Sequence, residues 1–271
     1  MTKQFGKVLA LPRGDTAKQD LQFVTALARG LEVLRTFQPE DGPLGNQELA
    51  ARTKLPKSTV SRITHTLTTL GYLDYIPRLS RYAIAPSVLS LGHACVGAAG
   101  IRRAALPDMQ ELAEYADASV ALGARDRLKM IYMAVARGSH TVAFSLDAGS
   151  HIPMHRSSMG AAFLHALPPK ERDFLIDAIA KSVGKDWPAI KARLEQAFVE
   201  LDSKGFCLFE GTYDRAINGV GTALVRPDGT IHAFSCSGPA FQFSPNRMRG
   251  DIGKRLVAMR SSISASLSRG Q

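Results

Sequence analysis

The sequence predicts an α+β chain in two parts: a small helical unit carrying a β-hairpin wing, then a linker helix into a larger mixed α/β unit. Three observations predict this. A short helix, a tight turn and a longer helix run through residues 47–70, ahead of two short strands. Beyond Arg102 the apolar pattern becomes an alternation of strands and helices. With 271 residues and 45% hydrophobic composition, the chain can fill two cores.

Taken in order, residues 1–20 mix Lys, Gly, Pro, Asp and Gln without a period and are expected to form a flexible basic arm. In 23–37, Val24, Leu27, Ala28, Leu31 and Leu34 share one side of a helix. Pro39, Gly42, Pro43 and Gly45 break it, and Asn46 is placed to cap a short helix over 47–53. After the turn at Lys54, Ser58 is placed to cap a third helix. Its residues Val60, Ile63, Leu67 and Leu70 step onto one face before Gly71 ends it. Strands are expected at 72–75 and 81–84 around a tip holding Pro77 and Arg78.

The small, apolar run 83–101 is read as a buried linker helix, because Pro86, Ser87, Ser90, Gly92 and His93 weaken a membrane span. In the second part, helices are expected at 104–116, 159–167, 170–181 and 189–204. Strands are expected at 120–124, 128–136, 141–146, 206–209, 220–226 and 230–237, the last two joined by the turn Pro227-Asp228-Gly229. A long amphipathic helix over 245–268 closes the chain. The expected domain limits are 1–20 for the arm, 21–85 for the winged helix-turn-helix, 86–100 for the linker and 101–271 for the second domain.

Charge and cysteine content narrow the function classes. The net charge is +10, and residues 1–85 hold 12 basic against 7 acidic side chains, so half the surplus sits in under a third of the chain. Such a surplus favours nucleic acid or anionic surfaces as partners. Three cysteines without a close pair suggest neither a disulfide framework nor a Cys-x-x-Cys site, and the N-terminus lacks a signal-peptide core; both fit a cytoplasmic protein.

Chemistry is carried first by the third helix. With Val60, Ile63 and Leu67 inward, its outer face presents Lys57, Ser58, Ser61, Arg62, His65 and Thr69, all hydrogen-bond donors. Arg62 suits paired bonds to guanine, and Lys57, Ser58 and Thr59 suit phosphate oxygens at the helix start. Arg78 and Arg81 add positive charge on the hairpin. The alternative is a solvated helix face; turn spacing and local basicity together favour double-stranded DNA.

Enzymatic motifs are weak. His151 and His155 are four apart, but Pro153 lies between them, so no helical metal pair is expected. No Gly-x-Ser-x-Gly elbow occurs, and Gly219-Val220-Gly221 lacks the third glycine of a dinucleotide loop. The chain is therefore read as no enzyme, with no metal and no cofactor. A hydrolase or transferase using Ser158 and a histidine such as His155 is the alternative, and a pure protein-interaction module is a third reading. Cys236 is placed on a strand facing a pocket, with no redox role assigned. Trp187, before Pro188, is read as a packing residue.

The run Asn46-Gln47-Glu48-Leu49-Ala50-Ala51-Arg52-Thr53-Lys54-Leu55-Pro56-Lys57-Ser58-Thr59-Val60-Ser61-Arg62 resembles the recognition segment of the IclR family of bacterial regulators. Leu70-Gly71-Tyr72-Leu73 leading into a wing is similar to it too. So are the loop from His151 to Gly160 and the late strand Ser235-Cys236-Ser237-Gly238-Pro239; the resemblance covers roughly residues 22–268. It implies a homodimer or tetramer on a palindromic operator and a GAF-like second domain that binds a small-molecule effector. By the same resemblance the effector would meet Ser157, Ser158, Met159, Gly160 and Ala161 on one side. Asn218, Gly219, Ser235, Cys236 and Ser237 would form the other. A helix N-terminus with nearby serines and Arg156 suits a small organic acid, aromatic acids included, although Ser157 and Ser158 could equally be helix caps. Two departures keep effector identity from carrying over: Gly160-Ala161 stands where the family often has Gly-Lys, and Cys207-Leu208-Phe209-Glu210-Gly211 replaces a usual acidic run.

Overall fold

The computed structural model describes residues 22–98, 100–139 and 146–269, which divide into two units, one running to Ala98 and one from Gly100 onward. The expected arm over 1–20, and 141–145 of the expected strand, lie outside the described residues.

In the first unit α1 (Thr25–Arg35), α2 (Asn46–Thr53) and α3 (Lys57–Thr69) precede β1 (Leu73–Ile76) and β2 (Arg81–Ile84), an antiparallel pair. Val33, Leu44, Leu49, Val60, Leu67 and Leu73 form the core. Leu44 exchanges two 2.8 Å backbone bonds with Tyr82, adding a one-residue third rung to the wing. The sequence reading erred on three local points. Gly45, not Asn46, precedes α2, its amide bonding Glu48 Oε2 at 2.7 Å, and Asn46 sits in the first helical turn. Pro56 starts α3, so Ser58 is no cap. Leu70 is exposed, one residue past the helix end. On α1 the buried side chain is Val33, while Val24, Leu27 and Leu31 face solvent, because the core needs only one edge of that helix.

A helix α4 (Ser87–Ala98) follows, as the linker reading expects, but Leu89 and Leu91 are exposed rather than buried. Among the described residues no helix is long and apolar enough to cross a membrane.

The second unit is a six-stranded antiparallel sheet in the order β5-β4-β3-β8-β7-β6. Its strands are β3 (Ser119–Asp126), β4 (Lys129–Arg137), β5 (His151–Pro153), β6 (Cys207–Glu210), β7 (Ile217–Val225) and β8 (Ile231–Pro239). Both faces are covered. On one face α5 (Gly100–Ala116) and α9 (Gly253–Arg269) bury Val120, Leu122, Val220, Phe234 and Cys236. The single closing helix that the sequence suggests is interrupted by a π-turn at Met248–Ile252. On the other face lie α6 (Ser158–Ala166), α7 (Pro169–Val183) and α8 (Trp187–Lys204), where Ala121, Met130, Cys207 and Phe209 are buried.

Two details place the N-terminus of α6. Residues Ser158 to Leu164 are all buried, since the segment is apolar on every side and fits only between other elements. A Cβ at Gly221 would strike the Ser158 backbone, and one at Gly160 would strike the Met154 backbone, so both glycines permit contact distances that no side chain would. Gly221→Ala is therefore expected to lower stability by about 1–3 kcal/mol through overpacking. Gly250→Ala, where nothing lies within 4 Å, should change it by less than about 0.5 kcal/mol. Urea unfolding of both variants checks this, and equal midpoints would show that the α6 seat is loose.

Candidate functional site

The first candidate surface is α3 with the wing. Lys57, Ser58, Ser61, Arg62, His65 and Thr69 are all exposed, and Thr59 is half-buried. Thr64 is buried instead, its hydroxyl 3.1 Å from both the Asn46 side-chain oxygen and the Val60 carbonyl, which fixes α3 against the start of α2. Arg78 is exposed in the 3-10 turn Pro77–Leu79 between the wing strands. Lys57, Arg62 and Arg78 have no carboxylate partner among the described residues.

Two other cations of this unit are committed internally. Arg81 donates to the Pro43 carbonyl at 2.8 Å and lies 3.2 Å from Glu48, so it ties wing to helix rather than standing free as a DNA contact. Arg52 pairs with both oxygens of Asp41, Nη2 to Oδ1 at 2.8 Å, and donates to the Thr36 carbonyl. That guanidinium, with the Gln38 amide, pulls the Asp41 carboxyl down to about 2.

The second candidate is a narrow cleft of about 60 Å³ between the start of α6 and the sheet. Ser157, Ser158, Met159, Gly219, Ser235 and Ser237 line it, six of the residues that the sequence nominates. Ser157 also caps α6, accepting from the Gly160 amide at 3.1 Å.

The remaining four nominees lie elsewhere. Gly160 packs on Met154, and Ala161 is fully buried in the helical layer. Asn218 bridges backbone groups, accepting from Gly211 N at 3.0 Å and donating to Phe243 O at 2.9 Å. Cys236 points to the opposite sheet face, because side chains alternate along β8 and Ser235 and Ser237 take the cleft side.

Sequence reasoning missed Tyr132, Thr212 and Tyr213, which also line the cleft, and noted Arg156 only in passing. Tyr132 reaches it through a bulge. Leu122 pairs with Ala134 and Gly123 with Tyr132, so Met133 is an extra residue, and the side chains on either side of it switch faces. Burial pushes the Tyr132 phenol up to about 12, with Tyr213 adding to the shift, so it stays neutral. The signal for Thr212 and Tyr213 was positional: they sit in a short loop at a sheet end, a frequent place for binding groups.

Arg156 closes the rim. Its Nε donates to the Thr212 carbonyl and its Nη2 to the Tyr213 carbonyl, both at 3.0 Å, with the guanidinium 5.8 Å from the centre of the Tyr213 ring.

No hydrogen bond joins Ser158 to His155 among the described residues, and His155 Nδ1 is buried without a partner. Burial, then Arg156, lowers the His155 pKa. His151 bonds Asp126 at 2.9 Å. No cluster of three or more metal-ligating side chains occurs among the described residues. Trp187 packs at the edge of the helical layer.

Burial raises the Cys207 thiol and pushes that of Cys236 up to about 12. In a Cys95→Ser background, Ellman's reagent at pH 8 should label neither thiol in the folded protein and both after urea unfolding. Rapid labelling of native Cys236 would put it back in an open cleft.

Comparisons with known proteins agree with this geometry. The IclR helix-turn-helix domain matches residues 26–77, and the bacterial transcriptional regulator IclR C-terminal domain matches 93–265. The chain is 36% identical over 247 residues to the HTH-type transcriptional regulator TsaQ1/TsaQ2 of Comamonas testosteroni, covering 90% of this chain and 88% of that one. An IclR family transcriptional regulator from Brucella abortus superimposes with a TM-score of 0.88 at 42% identity, over 96% of this chain and 97% of the other. An IclR homologue of Microbacterium hydrocarbonoxydans, solved with 4-hydroxybenzoate, superimposes with a TM-score of 0.69 at 19% identity, over 90% and 99%.

Proposed function

The chain belongs to the IclR family of DNA-binding transcription regulators, and on that premise we propose a cytoplasmic, homo-oligomeric regulator whose hold on a palindromic operator responds to a small organic acid. The observation that carries the DNA half is the exposed face of α3, where Ser61, Arg62 and His65 stand clear while Thr64 and Val60 anchor the helix. Arg62 reads base edges. Lys57, Ser58 and Thr59 hold phosphates, and Arg78 on the wing reaches the backbone beside them. Arg81 contributes by bracing the wing.

Oligomerisation is supported by α1, whose Val24, Leu27 and Leu31 leave an apolar stripe in solvent that a second copy would cover. In this reading the DNA-binding domain is 21–85, the linker 86–100 and the effector domain 101–271. The effector half rests on the serine-lined cleft, and the 4-hydroxybenzoate bound by the Microbacterium homologue supports an aromatic acid as one candidate class. Effector binding beside α6 changes how two subunits are held, and the linker passes this to the spacing of the recognition helices. That coupling requires the acid to prefer one arrangement over the other. No catalytic step is assigned to Ser158 or His155.

Capture of genomic fragments by the purified full chain tests the reading. Wild type should enrich a short palindrome, and Arg62→Ala should bind it about ten- to a hundredfold more weakly. Lys57→Ala should weaken all sequences alike and reduce the salt slope by about 1. Enrichment that survives Arg62→Ala unchanged would remove α3 from base reading.

A further inference from the structure

The cleft as it stands holds about 60 Å³, space for about two waters at ~30 Å³ each, and far below the ~300 Å³ at which small-molecule pockets begin. It is therefore contracted, and something in its wall must yield before an organic acid can enter. The sheet side cannot yield easily, because Gly221 and Ser158 are already in backbone contact. The remaining wall includes Leu146 and Ile152, and at its rim Arg156 with Thr212 and Tyr213 of the 211–216 loop.

Arg156 is the cationic side chain of that lining, and no carboxylate pairs with it among the described residues. Its Nε and Nη2 are instead occupied by two neutral acceptors, the carbonyls of Thr212 and Tyr213. An ionised acceptor makes a hydrogen bond roughly twice as strong as a neutral one, and a carboxylate fits the guanidinium fork with two parallel bonds. The carbonyls lose little on release, since this rim is exposed and water can replace the arginine.

We propose that Arg156 is the carboxylate-binding and acid-selecting residue of the cleft, and that an entering acid takes its guanidinium from the Thr212 and Tyr213 carbonyls, releasing the 211–216 loop as a gate. The inference rests on the reading of this cleft as the effector site. It adds the group that distinguishes an acid from its neutral analogue, and the segment that moves. The loop is otherwise tied at its two ends, by Gly211 N to Ile217 O and Asn218 Oδ1, both at 3.0 Å, by Thr212 Oγ1 to Glu210 O at 3.2 Å and by Ala240 N to Ala216 O at 2.8 Å, while Ile217 N and Ala216 N bond Asp214 at 3.0 and 2.8 Å.

The test is calorimetry of the full chain with 4-hydroxybenzoate and pyruvate, each beside its amide, for wild type, Arg156→Lys and Arg156→Gln. The expected result is binding of at least one acid, with Arg156→Gln weakening it about tenfold or more and Arg156→Lys weakening it less. The amide should bind wild type and Arg156→Gln alike. Hydrogen exchange supplies a second readout, in which the bound acid speeds exchange at the Ala216 and Ile217 amides and Arg156→Gln does so without ligand. An acid that binds wild type and Arg156→Gln equally overturns this inference and leaves the effector reading standing. Unchanged exchange in both comparisons overturns the gate. If neither acid binds wild type, the organic-acid reading of the cleft fails and this inference falls with it.

Discussion

Contact between the start of α6 and the middle of the sheet is the constraint on which the second unit depends. Backbone meets backbone there, at Gly221 against Ser158, and a second close approach at Gly160 fixes the preceding turn. A helix seated this way cannot slide or rotate without collision, so its N-terminus becomes a fixed landmark. Ser157 and Ser158 inherit that fixity, as does the cleft they line. Gly160 does not line the cleft, and the space where its side chain would stand is filled by the Met154 backbone. Close packing and ligand approach are both reasons for glycine, and the residue alone does not say which applies.

Much of the architecture was legible because it depends on local signals. The helix-turn-helix and its hairpin followed from apolar spacing, from Gly71 after α3, and from Pro77 between two short strands. The β7–β8 hairpin followed from Pro227-Asp228-Gly229. What escaped was set by neighbours distant in sequence. A stripe such as Val24, Leu27 and Leu31 identifies a helix, yet it does not say whether the partner is this unit's own core or another surface. The bulge at Met133 carries no composition signal, and without it simple alternation along β4 would send Tyr132 to the α5 face with Ala134. Cys236 shows the opposite failing, since the alternation rule was available and a residue between two cleft serines had to face away.

Charge was the least legible property, because a count of basic residues does not reveal their partners. Arg52 and Arg81 lie in the same basic stretch as Arg62 and Arg78, but the first two are spent on Asp41, Glu48 and backbone carbonyls. Their contribution is rigidity. Arg81 links the wing to the loop before α2, and Arg52 ties that helix to the Asp41 turn, so the exposed α3 face is presented by a frame in which these two cations are neutralised. Lys57, Arg62 and Arg78 stand toward solvent with no carboxylate partner among the described residues, where an anionic duplex would meet them without competition from the protein's own carboxylates.

Arg156 belongs to neither class. A guanidinium tied to a carboxylate gains little by exchanging it for another, and one free in water holds nothing in place. Two neutral carbonyls are an intermediate commitment: strong enough to keep the 211–216 loop against the cleft, weak enough to yield to an ionised acceptor. The serines opposite are neutral donors and acceptors that tolerate water before a ligand arrives, and the Tyr132 phenol, held protonated by burial, adds no negative charge to repel an acid. The electrostatic preference of the cleft therefore rests on a single side chain, and that side chain also holds the door. Recognition and release of the loop are then one event, which is the form of coupling that a ligand-responsive regulator requires.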